Sequence, residues 1–186
     1  MKHLLIFSHP RKDSFNHAIL KTATEGLRQG GHEVIVRDLY EIGFNPGKDD
    51  IFGGAGEDVK QEQEHLIWAD VVTFIYPIWW TGLPAMIKGY IERIFSYGFA
   101  FKYVDGVQMG LLKGKKAIII NTQGKSFAEY EANGMQDALR LTSDKGIFEY
   151  CGFEIIYHIF FDSTDRSDEP KRKAFLRQIS DMASKA

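Results

Sequence analysis

The sequence has 186 residues, 44% of them hydrophobic, with 23 basic against 25 acidic side chains and a net charge of −2. That length suits one domain, residues 1–186, able to bury its own core, and the near-neutral balance argues against a nucleic-acid binder that relies on excess positive charge. A lone cysteine, Cys151, excludes an internal disulfide and a cysteine-rich zinc site, and suits a reducing, cytoplasmic setting. The six histidines show no metal-ligand spacing, so no metal is expected. The apolar run 4–7 is shorter than a signal-peptide core, and no apolar stretch approaches the ~18 residues of an integral membrane segment. Aromatics make up 13% of the chain, and composition does not say whether they fill a core or line a pocket.

In chain order, residues 4–7 form a short apolar run closed by Ser8-His9-Pro10, the mark of a strand buried in a parallel sheet. Ile19, Leu20, Ala23 and Leu27 then share one helix face, with Ser14 or Asp13 as cap and Gly30-Gly31 as stop. Residues 32–39 read as a second strand. A loop rich in Gly, Asp and Asn covers 43–56 and leads to a polar helix over 57–68. Residues 70–76 read as a third strand ended by Pro77. Pro84 opens a helix over 85–95, where a first-turn proline is tolerated. The stretch 98–112 exceeds an ordinary loop. Residues 115–121 form a fourth strand, 131–150 are helical in part, 153–161 form a fifth strand and 169–183 a closing helix. Strand and helix thus alternate through five rounds. The expectation is α/β: a flavodoxin-like three-layer sandwich on a five-stranded parallel sheet of order 2-1-3-4-5.

In such a sheet ligands bind beyond the carboxyl ends of the strands, where the strand order reverses. Three loops meet there. The first, residues 8–16, has hydroxyls, His9, two cations and a helix start, a natural phosphate seat; a capped helix with solvated charges explains it equally well. It has no GxGxxG or Walker pattern. The second, residues 76–84, carries Trp79 and Trp80 side by side, either stacked on a flat aromatic ligand or plugging a neighbouring loop or dimer contact. The third, Asn121-Thr122-Gln123-Gly124-Lys125-Ser126, offers several hydrogen bonds to one ligand edge, or is a plain polar turn. Taken together they describe a pocket for a phosphorylated planar ring, the shape of a flavin nucleotide.

The segments SHPRKDSFN (8–16), DLYEIGFNP (38–46), ADVVTFIYPIWWTGLPAMIKGYIERIF (69–95), KGKKAIIINTQG (113–124) and YCGF (150–153) resemble the NAD(P)H:quinone oxidoreductase family of flavoproteins, the DT-diaphorase-like branch. The resemblance runs along nearly the whole chain, and Pro-x-x-Trp-x-Gly-x-Pro with the following Lys-Gly-Tyr-Ile-Glu-Arg carries it most specifically. It implies a flavin, FAD or FMN, that takes a hydride from NAD(P)H and then reduces a quinone by two electrons in ping-pong fashion. His9, Ser14, Phe15 and Asn16 match binders of the flavin phosphate. Pro77, Ile78, Trp79 and Trp80 match the wall beside the ring. Asn121, Thr122, Gln123 and Gly124 match the loop along its pyrimidine edge, where backbone N–H groups around Gln123-Gly124 would meet developing negative charge. Tyr130 matches the active-site tyrosine if one residue is inserted in that loop. The resemblance also implies a homodimer in which Phe101 and Tyr103 line the partner's pocket, so that Trp80, Phe101, Tyr103 and Tyr130 surround the substrate.

The chain departs from the family pattern in three places. Gln123-Gly124 stands where animal members have a glycine pair, residues 131–140 lack the histidine that follows the tyrosine, and Trp79 replaces a glutamine and narrows the pocket. An azo- or nitroreductase on the same fold, or a flavin-binding regulatory subunit of a potassium efflux system, are the alternative readings; an acidic electron-transfer flavodoxin fits poorly with −2. Cys151 reads as a small buried residue, Lys171-Arg172-Lys173 as a solvated helix face and His158 as a packed or hydrogen-bonded strand residue. The loop aromatics Tyr76, Trp79, Trp80, Phe101, Tyr103 and Tyr130 are expected to gather at one end of the sheet.

Overall fold

The computed structural model describes residues 1–47 and 56–185. Five parallel strands, β1 (Lys2–Phe7), β2 (Glu33–Asp38), β3 (Val71–Pro77), β6 (Lys116–Thr122) and β7 (Glu154–Phe161), form one sheet in the order β2-β1-β3-β6-β7. The two remaining strands, β4 (Phe101–Val104) and β5 (Val107–Gly110), pair only with each other. Within the sheet, β6 and β7 take the places of the fourth and fifth expected strands.

The alternation of a strand explains the two cores. Leu5, Phe7, Ile75, Ile118 and Ile120 face one side, against Ile19, Leu20 and Leu27 of α1 (Phe15–Gln29) and Ile179 and Met182 of α6 (Glu169–Ala183). Leu4, Ile6, Phe74, Tyr76 and Ile119 face the other, against Leu66 of α2 (Glu57–Trp68) and Ile87, Tyr90 and Ile94 of α3 (Ala85–Ile94). Because β1, β3 and β6 are covered on both faces, they read as continuous apolar runs rather than alternating ones.

Two regions depart from the expectation. The stretch 98–112 is not an irregular loop but contains the β4–β5 hairpin. Its turn is Asp105-Gly106, both at positive φ (52° and 78°). Asp-Gly between Val104 and Val107 is the sequence pattern of a tight hairpin turn, because both central residues must take left-handed dihedrals to match strand twist. The helical stretch placed at 131–150 starts earlier and is divided. It comprises α4 (Phe127–Glu131), α5 (Met135–Arg140) and a π-helical segment (Leu141–Glu149) that follows α5 directly. Part of the expected loop 43–56, residues 48–55, lies outside the described residues. Among the described residues, no helix is long and apolar enough to cross a membrane.

The loop after β2 is pinned to α3 by close approach. A Cβ on Gly89 would meet the Cβ and carbonyl oxygen of Pro46 and come within 2.8 Å of its Cα. Alanine inside a helix normally gains about 1 kcal/mol over glycine. Here the neighbour is backbone and cannot yield cheaply, so Gly89→Ala is expected to destabilise the protein by about 1–3 kcal/mol; an unchanged or raised urea midpoint would contradict this packing.

At the other end of the sheet, His3 is fully buried and both ring nitrogens lack hydrogen-bond partners. Burial, followed by the nearby His32 ring and the N-terminal charge, lowers its pKa from 6.5 to about 4. The unfolded chain therefore binds more protons than the folded one between those values. The His3 contribution is complete above about 6.5 and is lost as pH falls toward 4. Melting temperature is expected to drop over that window, and His3→Leu is expected to flatten the drop; equal slopes for the two proteins would contradict the assignment.

Candidate functional site

The carboxyl ends of β1, β3 and β6 lie side by side, with Phe7 paired to Ile75 and Tyr76 and Pro77 paired to Asn121 and Thr122. The loops leaving them build the site. In the first loop Ser14 is the N-cap of α1, its Oγ accepting the His17 backbone N–H at 3.2 Å; Ser14, not Asp13, therefore makes the cap. Asn16 enters the helix with its side chain buried. Its Nδ2 donates to Thr122 Oγ1 at 2.8 Å, tying the first loop to the third, while its Oδ1 is buried without a partner. Arg11 is held by Asp13 through two hydrogen bonds of 3.0 and 2.8 Å. His9 is partly buried, and that burial lowers its pKa below the ordinary 6.5.

These groups open onto a cavity of about 360 Å³ lined by His9, Arg11, Asp13, Ser14, Phe15, Asn16, Pro77, Trp79 and Thr122 together with Thr164, Asp165 and Arg172. Asp13 and Asp165 balance Arg11 and Arg172 in this wall, so its anion-seat chemistry comes from the hydroxyls and the start of a 15-residue helix, whose first N–H groups have no intrahelical partner.

The second loop turns sharply. Trp79 and Gly82 exchange backbone hydrogen bonds at 3.2 and 3.1 Å, and the two residues between them, Trp80 and Thr81, both sit at positive φ (50° and 57°). Left-handed dihedrals are unfavourable for a β-branched or bulky side chain. The result is that both indoles stand outward: Trp80 is fully exposed and Trp79 43% exposed, with the His9 ring edge-on to Trp79 at 5.9 Å. They do not serve as a plug within this chain.

The third loop differs from expectation. Asn121 and Gln123 are each only 1% exposed. The Asn121 side chain points into the sheet, its Nδ2 donating to the Tyr76 carbonyl at 3.1 Å and its Oδ1 lying 2.8 Å from His158 Nε2. The Gln123 backbone N–H is consumed by the Phe161 carbonyl at 2.9 Å, and its Nε2 donates to the Lys125 carbonyl. Neither side chain meets the cleft, and the Gln123 N–H is not available to a ligand. Gly124 does reach the cleft. It lines a second cavity of about 520 Å³ with Ile78, Trp79, Trp80, Lys125, Tyr130, Asp165 and Arg166. Tyr130 is placed there by α4, whose N-cap Ser126 forms a reciprocal capping box with Glu129, and it packs with Leu139, Phe160 and Ile78. The two cavities share Trp79 and Asp165.

The segment after β7 adds Thr164, Asp165 and Arg172 to the first cavity. Arg172 lines the first cavity, with Nε on Ser167 Oγ at 2.9 Å and a terminal nitrogen on the Thr164 carbonyl at 3.3 Å. Lys171 reaches Asp162 at 2.9 Å, and Lys173 pairs with Glu169 at 2.6 Å on the same helix. All three cations keep solvent exposure, as expected of a solvated face; Arg172 in addition lines the cavity. The hairpin aromatics are likewise elsewhere within this chain: Phe101 packs edge-on to Tyr150, and the Tyr103 hydroxyl lies 2.8 Å from that of Tyr150. Tyr76 is fully buried in the core. The expected gathering of six aromatics therefore reduces, within one chain, to Trp79, Trp80 and Tyr130. Cys151 is buried, which pushes its thiol up to about 12 and leaves it no thiolate character.

A family model described as flavodoxin-like fold matches residues 1–184. An uncharacterized NAD(P)H oxidoreductase of Haemophilus influenzae is 37% identical over 95% of this chain and 91% of its own length. Ribosyldihydronicotinamide dehydrogenase [quinone] of Mus musculus is 30% identical over 94% of this chain and 87% of its own. Among solved structures, an NAD(P)H:quinone oxidoreductase from Methanothermobacter marburgensis superposes with a TM-score of 0.89 at 26% identity, covering 99% of this chain and 98% of that one.

Proposed function

Because this chain belongs to the flavodoxin-like family of NAD(P)H:quinone oxidoreductases, we propose that it is an NAD(P)H-dependent oxidoreductase that reduces a quinone on a flavin seated across the two joined cavities. The observation that carries this reading is their pairing: a polar cavity opening at the start of α1, with two guanidinium groups in its wall, sharing Trp79 and Asp165 with an aromatic one. That is the chemistry of a phosphate joined to a flat ring. When bound, a flavin supplies the two-electron chemistry, taking hydride from NAD(P)H and passing it to the quinone.

The residues present fit that group. The buried, unpartnered Oδ1 of Asn16 is an acceptor and so suits a ribityl hydroxyl, a donor, and not the phosphate itself. His9, Ser14 and the first N–H groups of α1, at Phe15 and Asn16, would hold the phosphate, with Arg11 and Arg172 completing the charge. Pro77, Ile78 and Trp79 would form the wall beside the ring, and Thr122 and Gly124 its hydrogen-bonding edge. Asn121 and Gln123 would act from beneath, by shaping the strand end that presents Thr122 and Gly124. Trp80, standing fully exposed, would cover a flat substrate.

Tyr130 is the catalytic residue of this reading. Its hydroxyl would donate a hydrogen bond to the oxyanion that develops during transfer, an interaction stronger in the transition state than in the ground state. A second copy of the chain would bring Phe101 and Tyr103 to the substrate side; Val107 and Tyr103 on that hairpin are 69% and 51% exposed, which is costly surface unless covered. NADH against NADPH and quinone against azo or nitro acceptors are choices of the same cleft, and a steady-state panel of donors and acceptors separates them.

Purified protein is expected to be yellow, or to become so on adding flavin, and mass analysis of the released chromophore distinguishes FMN from FAD. A colourless protein that takes up neither would overturn the reading. Tyr130→Phe is expected to retain flavin and fall about tenfold or more in kcat; unchanged steady-state kinetics would remove Tyr130 from the mechanism.

A further inference from the structure

A buried chain of polar groups runs beneath the site. His158, on β7, has a side chain only 2% exposed. Its Nδ1 lies 2.7 Å from Asp144 Oδ1 and its Nε2 lies 2.8 Å from Asn121 Oδ1. Asn121 Nδ2 in turn donates to the Tyr76 carbonyl at 3.1 Å.

Counting donors fixes how many protons His158 and Asp144 hold between them. A backbone carbonyl only accepts, so the Asn121 atom facing Tyr76 is its amide nitrogen, and its oxygen faces His158. That oxygen only accepts, so Nε2 carries a hydrogen. A carboxylate also only accepts. If the imidazole were neutral beside an ionised Asp144, one of the contacts at 2.7, 2.8 or 3.1 Å would set two acceptors against each other with no hydrogen between them. Every such tautomer or amide flip meets this conflict.

The surroundings pull in both directions. Asp144 Oδ1 also lies 2.7 Å from the Ser143 hydroxyl, whose single hydrogen has a second acceptor in the Leu139 carbonyl at 2.8 Å, and Arg140 of α5 stands at 3.9 Å. The remaining titratable neighbour is the Tyr76 hydroxyl of β3, which burial pushes above its ordinary value and keeps neutral. Burial is the largest influence on the imidazole and lowers its pKa from 6.5, with Arg140 acting the same way, while the hydrogen bond and charge of Asp144 raise it. The donor count prevails over burial, because losing the proton exchanges a short charge-assisted hydrogen bond for an acceptor–acceptor contact that cannot relax inside a packed sheet.

We infer that His158 and Asp144 together retain a proton at neutral pH, as an imidazolium–carboxylate pair, and that His158 is thereby a positioning residue for the cleft. It acts through Asn121. Asn121 is registered opposite Tyr76, one step before the Pro77–Thr122 pair from which two site loops diverge, and the next link is the Ile78 N–H to Thr122 carbonyl bond at 2.7 Å. The charged pair thus holds the strand ends that present Ile78, Thr122 and Gly124. The His158 ring also stacks on Phe160 at 4.1 Å, and Phe160 packs with Tyr130. Asp144 is carried by the π-helical segment Leu141–Glu149, a geometry found frequently at functional sites.

The positioning role rests on the flavin reading of the cleft; the proton assignment does not. The test is nitrogen-detected NMR of the His158 ring as a function of pH, in flavin-free and flavin-loaded protein, with flavin dissociation constants measured over the same range. Both ring nitrogens are expected to be protonated at pH 7 in either form. Flavin affinity is expected to fall several-fold as pH rises through the loss of that proton. In Asp144→Asn the new amide can donate to a neutral Nδ1, so His158 is expected to carry a single ring proton at pH 7 and the affinity to lose its pH dependence over that range. A singly protonated His158 in the parent protein at pH 7 would overturn the proton assignment without any variant. A titrating His158 with pH-independent flavin affinity would overturn the positioning role. Failure to take up flavin at every pH would sink the flavin reading and the positioning role with it, while the ring protons are still read in the flavin-free protein.

Discussion

Three adjacent strands covered on both faces impose the constraint on which the rest of this molecule depends. Along β1, β3 and β6 nearly every side chain is fully buried, and a polar group there is costly unless it is hydrogen-bonded. Polar chemistry is therefore pushed to where the strands end. The parallel arrangement makes all three end at the same edge, and the order β2-β1-β3 reverses the winding direction between β1 and β3. Helices leaving β1 and β3 pack on opposite faces of the sheet, α1 with the Leu5–Phe7 core and α3 with the Leu4–Ile6 core. A crevice opens between their starts, and the cleft is a consequence of that divergence.

How much of this was legible in the sequence follows from which forces are local. The strands and the helices over 57–68 and 169–183 are written in local apolar periodicity, and the structure places them as read. The β4–β5 hairpin was legible too: Asp105-Gly106 between two valines is a turn signature, and length alone was the wrong guide to that stretch. The division of residues 127–149 was not legible, because a π-helical register leaves no periodicity distinct from an α-helix over nine residues. In the cleft, the residues at strand ends and at the start of α1 were readable from topology. Arg172 was not, because it reaches the cleft from a helix whose local pattern says only that it is polar. Asn121 was placed in the right loop but with the wrong facing. A residue's position on a strand does not say whether its side chain is satisfied from inside the sheet, and His158, the partner that satisfies it, lies 37 residues away.

The second loop shows the opposite balance of local and global forces. Trp80 and Thr81 occupy backbone conformations that cost of order 1–3 kcal/mol each for such side chains. A glycine at either position would relieve that cost, yet the sequence uses Gly82, the residue just past the strained pair. The strained turn lifts two indoles into water at the rim of the aromatic cavity. An arrangement unfavourable in backbone and in solvation at once is not explained by the stability of this chain alone. It is consistent with aromatic surface kept ready for a flat ligand or a second copy of the chain.

The same logic accounts for the polar chain beneath the site. Asn121, His158 and Asp144 occupy positions where apolar side chains would pack with less risk, since a half-satisfied buried network is worse than none. What an apolar core cannot do is fix the relative height of two strand ends, because dispersion contacts tolerate small sliding whereas a short charge-assisted hydrogen bond does not. The network sits at the next-to-last pair of β3 and β6, Tyr76 with Asn121, one residue before the final pair of Pro77 with Thr122, beyond which the ladder gives way to loops. The Asn16–Thr122 bond on the other side of the cleft does the corresponding task for α1. Between them these two side-chain ties hold the first and third loops to one frame. The second loop joins the same frame through the Ile78 N–H to Thr122 carbonyl bond at 2.7 Å and through the edge-on contact of Trp79 with the His9 ring at 5.9 Å.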